Sequence, residues 1–152
     1  MNRLMHFVRA LAVLVVVAVL AAPALAGTKE HRLALQISDK DPQKMSTVLN
    51  VAANVSRLYA ERGEEVQIAI VAFNAGLHML REDTAPDDVK ARVLGFAKSM
   101  PNVTFQACNN TLEGMAKKEG KTPPLVGNAK IVPAGVVTLI ELNEAGWTIV
   151  RP

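Results

Sequence analysis

A run of eight almost wholly apolar residues near the middle of the chain, Val66 to Phe73 (VQIAIVAF), most limits the possible folds. The run is rich in β-branched residues and lies between Gly63 and the turn-forming segment Asn74-Ala75-Gly76, which favours a strand over a helix. A strand that is apolar at nearly every position must be covered on both faces, as in the parallel sheets of α/β proteins. The sequence therefore predicts a central parallel strand between two layers of helices.

The rest of the chain alternates short apolar runs with amphipathic stretches. The stretch from Met45 to Arg62 has apolar residues at helical spacing, and Pro42 and Gly63 suit its two ends. The same patterns predict strands at 31–38, 66–73, 103–107, 130–132 and 147–150, and helices at 45–62, 77–81, 87–100, 110–118 and 134–144. Strands joined by helical crossovers form a parallel sheet, so we expect a five-stranded, mostly parallel sheet with helices on both faces.

The first 26 residues have the three parts of a secretory signal peptide. Residues 1–9 carry two arginines and no acid, residues 10–22 are wholly apolar, and 23–26 end in a small-x-small pattern at Ala26. A retained membrane anchor is the alternative, but a spanning helix needs about 20 apolar residues. No cysteine lies near the cleavage site, which excludes a lipoprotein. We expect cleavage after Ala26, one mature domain over 27–152, a periplasmic or secreted location, and no membrane association after cleavage.

Cleavage would also change the charge of the protein. The full chain has 17 Lys+Arg and 14 Asp+Glu, a net charge of +3. Loss of Arg3 and Arg9 leaves 15 basic and 14 acidic residues, a net charge of +1. Nucleic-acid binding needs lysines and arginines clustered on one face, and this composition gives no support for it. The chain has one cysteine, so packing rather than an intramolecular disulfide must hold the domain together.

Ligands of open parallel sheets bind outside the carboxyl ends of the strands, and the only cysteine, Cys108, follows a predicted strand there. Asn109 or Asn110 is a good N-cap for the next helix, so the thiol is expected beside the positive end of a helix dipole, which stabilises a thiolate. The alternative is a buried structural cysteine. The chain has no CxxC motif, which argues against a self-contained dithiol oxidoreductase.

Other loop residues at the same sheet edge are expected to line a pocket with Cys108. They are Asn74, Gly76, His78, Asn109, Asn110 and Pro133. His78 is a candidate proton donor or thiolate partner, although a surface histidine is an equally simple interpretation. The histidines and the cysteine lack a metal-ligand spacing, so no metal is predicted. GxGxxG, GxxxxGK[ST] and GxSxG motifs are absent, and we predict no cofactor.

Four segments together resemble the DsrE/DsrF-like family. They are QACNNTL at 106–112, IVPAGV at 131–136, ELNEAGW at 141–147 and the closing Arg151-Pro152, and VAFNAG at 71–76 resembles a further strand-end loop of the family. The similarity extends from about Arg32 to Pro152. It implies a flavodoxin-like three-layer α/β sandwich and assembly into homo- or hetero-oligomers, often trimers or hexamers. For this chain we expect a homo-oligomer, as a dimer, trimer or hexamer.

The resemblance also implies sulfur handling. Cytoplasmic members carry sulfur as a persulfide on a cysteine in the loop that matches Cys108, so this chain is expected to be a sulfur carrier or sulfurtransferase with a sulfur donor or acceptor protein as partner. Two alternatives stay open. One is a non-catalytic oligomeric binding module in which Cys108 is structural. The other is a one-cysteine redox protein that forms mixed disulfides.

Overall fold

The computed structural model describes residues 30–152, and the predicted signal peptide lies outside the described residues. The strands are β1 (Glu30–Ile37), β2 (Glu65–Ala72), β3 (Val103–Cys108), β4 (Ala129–Val132) and β5 (Thr148–Val150). The α-helices are α1 (Pro42–Glu61), α2 (Asp87–Ser99), α3 (Asn109–Glu119) and α4 (Gly135–Glu144), and a 3-10 helix covers Asn74–Leu80. Within the described range, no helix is long and apolar enough to span a bilayer.

The five strands form one parallel sheet in the order β4-β3-β2-β1-β5. The register pairs Leu35 of β1 with Ile70 of β2, and Ile70 with Phe105 of β3. The chain moves outward from β1 to β4 and then returns across the sheet to place β5 beside β1. The prediction of a flavodoxin-like α/β sandwich with a parallel five-stranded sheet and helices on both faces is confirmed.

The larger core lies on one face of the sheet, beneath three helices. Alternate strand residues such as Leu35, Ile70 and Phe105 pack there against α1, α2 and α3. Helix α1 begins at Pro42, three residues before the predicted stretch 45–62, because Asp41 caps it by accepting a hydrogen bond from the Gln43 N–H at 2.8 Å and Pro42 occupies the first turn. Burial on this face positions the carboxyl ends of β1, β2 and β3 side by side.

The opposite face has a smaller core, which among residues 30–152 lies beneath α4 alone. Ala34, Val71, Phe73 and Cys108 pack there against Leu139 of α4. A helix of 10 residues covers little of a five-stranded sheet, and several large apolar side chains of this layer are exposed to solvent. Cys108 therefore points into the thinner layer of the sandwich.

The connection after β2 is a 3-10 helix seated against the end of β1. Gly76 lies within it, and a Cβ atom built there would lie 2.3 Å from the Ile37 carbonyl oxygen. The sequence predicts a short helix at 77–81, whereas the 3-10 helix begins at Asn74, directly after the strand. This close approach needs a residue without a side chain, and it brings the loop after β2 to the carboxyl edge of the sheet.

Candidate functional site

A pocket of about 770 Å³ opens at the carboxyl edge of the sheet, between the loops that follow β2, β3 and β4. This volume is within the range of small-molecule sites, about 300–1,000 Å³. The wall includes Cys108 and three residues predicted to lie with it, Asn74, His78 and Asn110. The edge of the sheet that the sequence indicates therefore carries a cavity of ligand size.

Cys108 ends β3 and is itself the N-cap of α3. Its residue surface is only 5% exposed, and its side chain packs with Phe73 and Leu139. The expectation that Asn109 or Asn110 caps the helix is wrong, because α3 begins at Asn109, one residue earlier than predicted. The thiol is consequently closer to the first N–H groups of the helix than the sequence suggests.

Two opposing effects set the pKa of the Cys108 thiol. Burial raises the pKa, while hydrogen bonding from the Thr111 hydroxyl and from the backbone N–H groups of Gly135, Thr111 and Asn110 lowers it. The thiol makes no cap hydrogen bond of ordinary geometry to α3, but these N–H groups lie close enough to stabilise a negative sulfur. The net pKa lies below the ordinary value, so the site favours the thiolate, which is the nucleophilic form.

The amino ends of two helices meet at the sulfur. Gly135 is the first residue of α4, and a Cβ atom built on it would lie 3.3 Å from the Cβ of Cys108 and 3.0 Å from that of Phe73. The absence of a side chain lets the start of α4 approach the cysteine. Both helix dipoles are positive at these ends, which favours an anion between them.

Thr111 joins the loop after β2 to the cysteine loop. Its Oγ1 accepts a hydrogen bond from the Asn74 backbone N–H at 3.0 Å. Asn74 is the only non-glycine residue with positive φ in the described part of the chain, at 49°. Thr111 is not among the site residues predicted from the sequence, although it lies three residues after the N-cap, a spacing at which side chains reach back to the cap.

His78 lies on the pocket wall, where its Nδ1 contacts the Thr84 hydroxyl at 2.7 Å. Partial burial lowers the pKa of His78, and the positive charges of Arg81 and Lys40 lower it further. The imidazole is therefore neutral near pH 7. No hydrogen bond joins His78 to Cys108 in the part of the chain that the structure describes, and its role as a thiolate partner stays a prediction.

Three residues predicted to line the pocket lie elsewhere. Gly76 packs against the backbone of β1. Asn109 turns its side chain along α3 and donates to the Glu113 carboxylate at 2.8 Å. Pro133 takes part through its backbone, because its carbonyl accepts a hydrogen bond from the Asn110 N–H at 3.3 Å. These residues shape the strand-end loops without facing the cavity.

Charged side chains surround the outer part of the pocket. Lys40, Lys118 and Glu119 line it. Glu119 is held by the buried guanidinium of Arg81, at 2.6 and 2.8 Å, and this bond lowers the pKa of its carboxyl group. The sequence does not indicate this arrangement, since nothing in the local pattern separates a buried arginine from a surface one.

No group of three or more His, Cys, Asp or Glu side chains within residues 30–152 could hold a metal ion. The polar groups near the sulfur are N–H and O–H donors, which suit a negative sulfur species rather than a cation. The site therefore offers one nearly buried thiol whose pKa is lowered.

The fold and the site define a three-layer α/β protein with one cysteine at the carboxyl edge of its parallel sheet. A solved structure that it resembles is that of MTH1491, a protein of unknown function from Methanobacterium thermoautotrophicum, with a TM-score of 0.64 and 27% sequence identity. The similarity covers 80% of this chain and 99% of that one. No family model and no curated protein matches the chain. The similarity supports the fold and carries no activity with it.

Proposed function

We propose that this protein is an exported sulfur carrier of the DsrE/DsrF-like type, which holds sulfane sulfur as a persulfide on Cys108. The observation that carries the proposal is the position of the sulfur, at the amino ends of two helices and inside a pocket, where the pKa of the thiol is lowered. A persulfide keeps the same inner sulfur and adds an outer sulfur that is also an anion near neutral pH. The donors that stabilise the thiolate therefore also suit the loaded form.

The loading step is a simple displacement. The Cys108 thiolate attacks a sulfane sulfur of a polysulfide or of thiosulfate, forming a new S–S bond. The donor's S–S bond breaks, and its electron pair leaves with the shorter polysulfide or with sulfite. No external oxidant or reductant is needed. In the unloading step, an acceptor thiolate attacks the outer sulfur, and the electron pair of the broken bond returns to Cys108.

Intact-mass measurement after incubation with polysulfide or thiosulfate tests this function. We expect wild-type protein starting at residue 27 to gain the mass of one sulfur atom, and to lose it when an acceptor thiol is added. Because the chain has one cysteine, Cys108→Ser is a matched control and should gain nothing. An unmodified wild type, or an equal gain in C108S, refutes the proposal.

A second candidate function is a non-catalytic binding module in which Cys108 is a packing residue. The 5% exposure of Cys108 and its contacts in the smaller core favour it. This alternative predicts that a small alkylating reagent modifies Cys108 only after unfolding. The sulfur-carrier proposal predicts modification of the folded protein, at a rate that follows ionisation of the thiol. A redox protein that forms mixed disulfides would instead give a covalent dimer or a trapped partner on a non-reducing gel.

The proposal includes assembly into a homo-oligomer through the α4 face. Val136, Val137 and Ile140 of α4 are each at least half exposed. Monomeric proteins rarely expose such a group of large apolar side chains together. Since Val136 also lines the pocket, a second copy seated on this face would help to shield the thiolate. Shielding matters for an exported protein, because an open thiolate outside the cytoplasm is readily oxidised.

A further inference from the structure

We propose that the pocket takes the persulfide of a small, carboxylate-bearing thiol as its sulfur donor, with Lys40 and Lys118 holding the carboxylate and the sulfur end directed to Cys108. This inference names the donor for the proposed sulfur-carrier function and rests on that function for the transfer step. The binding itself is argued from the shape and the charges of the pocket. It can be measured without any transfer of sulfur.

The pocket extends along one face of α3 from its first turn to its last. Thr111, Gly114, Met115 and Lys118 recur at helical spacing and line the pocket together with Cys108. Lys118 comes ten residues after Cys108, and a helix rises about 1.5 Å per residue, so their Cα atoms are about 15 Å apart. A helical side chain leans back toward the N-terminus, which places the ammonium on the order of 10 Å from the sulfur.

Gly114 keeps the middle of this groove open. A Cβ atom built on it would have no other atom within 4 Å, so a side chain there would enter the open space of the pocket. Glycine is unfavourable inside a helix relative to alanine, and here it leaves the wall of the groove without a side chain. An elongated molecule can therefore lie along α3, from the sulfur to Lys118.

The charges at the outer end of the groove favour an anion. Lys40 and Lys118 both line the pocket, and neither ammonium takes part in an ion pair among residues 30–152. Glu119 also lines the pocket, but Arg81 already binds its carboxylate at 2.6 and 2.8 Å. The two lysines are therefore the charges available to a ligand, and a carboxylate is a suitable partner for an ammonium group.

The separation between sulfur and positive charge distinguishes one sulfur donor from another. The charged oxygens of thiosulfate are bonded to the atom next to its sulfane sulfur, so thiosulfate cannot reach Cys108 and Lys118 at once. In the persulfide of a small peptide thiol, the carboxylates lie several bonds from the sulfur. A molecule of that size also suits a pocket of about 770 Å³.

The transfer step is balanced within the pocket. The Cys108 thiolate attacks the outer sulfur of the bound persulfide, R–S–SH, and forms a new S–S bond with it. The S–S bond of the donor breaks, and its electron pair leaves with the thiolate R–S⁻. The hydrogen stays on the transferred sulfur, so the step needs no oxidant or reductant. Lys40 and Lys118 bind the donor and take no part in the bond changes.

Equilibrium dialysis of the Cys108→Ser protein tests the binding, because this variant has no thiol and cannot exchange sulfur. Glutathione is the probe, a peptide thiol with two carboxylates, and its diethyl ester is the matched probe without them. Adding Lys40→Met and Lys118→Met should weaken glutathione binding about tenfold, as for loss of two exposed ion pairs, and should leave ester binding unchanged. The control adds Lys98→Met and Lys117→Met, which remove two exposed lysines outside the pocket wall and should preserve glutathione binding.

The shape of the groove is tested by Gly114→Met, which fills the space between the sulfur and Lys118. This variant, made in the Cys108→Ser protein, should bind both probes at least tenfold more weakly, because the side chain blocks the path along α3. Gly95→Met is the matched control, since Gly95 is a helical glycine with equal space around it that does not line the pocket. It should bind both probes as C108S does.

Equal binding of glutathione and its ester to C108S overturns the inference, and so does equal weakening by the two pairs of lysine substitutions. No binding of glutathione, or tighter binding of thiosulfate than of glutathione, overturns it as well. Sulfur loading is scored separately by mass. A wild type that gains sulfur from polysulfide, with no glutathione bound by C108S, rejects only this inference. Lysine-dependent glutathione binding in a protein that never gains sulfur rejects only the proposed function.

Discussion

Arg81 is the one charged residue among residues 30–152 that is buried, at 2% exposed. Its guanidinium donates to Asp83 at 2.9 and 2.8 Å and to Glu119 at 2.6 and 2.8 Å. These bonds to the ionised carboxylates lower the pKa values of both Asp83 and Glu119. A carboxyl group whose pKa is lowered by folding stabilises the fold above its unfolded pKa. That contribution is lost as the pH falls through the folded pKa.

We therefore expect the free energy of unfolding of the wild type to decrease as the pH is lowered from about 5 to about 3. Arg81→Met removes both ion pairs, so its unfolding free energy should depend less steeply on pH in this range. Arg57→Met breaks only the exposed pair with Glu61 and should keep the wild-type dependence. Urea unfolding at a series of pH values measures how steeply the unfolding free energy depends on pH in the wild type and in the two variants. Equal slopes for wild type and R81M would contradict the prediction.

At the scale of single elements, the 3-10 helix depends on one close approach. A Cβ atom at Gly76 would meet the Ile37 carbonyl oxygen at 2.3 Å, and the carbonyl belongs to the backbone of β1 and cannot rotate away. We expect Gly76→Ala to destabilise the protein by about 3 kcal/mol or more. Thermal or urea unfolding measures the change.

The matched control is Gly95→Ala, within α2, where a new Cβ atom has no other atom within 4 Å. Alanine favours a helix over glycine by about 1 kcal/mol, so G95A should be as stable as the wild type or more stable. Similar stabilities for G76A and G95A would show that the 3-10 helix is not held by this contact.

Local sequence patterns predict the helices and strands, but they do not predict the contacts between them. Apolar periodicity predicts every strand and helix to within a few residues, because burial on one or two faces dictates that periodicity. The N-cap of α3 was misplaced because a cysteine is not an expected cap, although its position at the end of β3 makes it one. The sequence pattern does not reveal the roles of Thr111 and Arg81, because Asn74, the partner of Thr111, and Glu119, one of the two partners of Arg81, lie more than 30 residues away along the chain. Contacts between residues so far apart in the sequence can be identified only when the order of the strands in the sheet is known.

At the scale of the whole molecule, the two faces of the sheet are covered unequally. Among residues 30–152, three helices pack on one face and only α4 packs on the other. Three exposed apolar residues, Val136, Val137 and Ile140, lie together on α4, whereas α1 and α2 expose only single large apolar residues, Leu58 and Leu94. Single exposed residues are normal in a monomer, while a contiguous apolar group is typical of an interface. The imbalance therefore places the expected contact between copies on the α4 face.

The unequal covering of the two sheet faces leads to a prediction about the molecular mass of the protein in solution. If copies associate through the α4 face, the double variant Val137→Glu, Ile140→Glu should shift the protein to a monomer, because a buried unpaired carboxylate is strongly unfavourable. Leu94→Glu introduces the same charge at a residue of α2 with similar exposure, 43%, and should leave the mass unchanged. Size-exclusion chromatography with light scattering measures all three proteins. A wild type that is already monomeric at high concentration would refute the assembly, and dissociation by L94E would place the interface on the other layer.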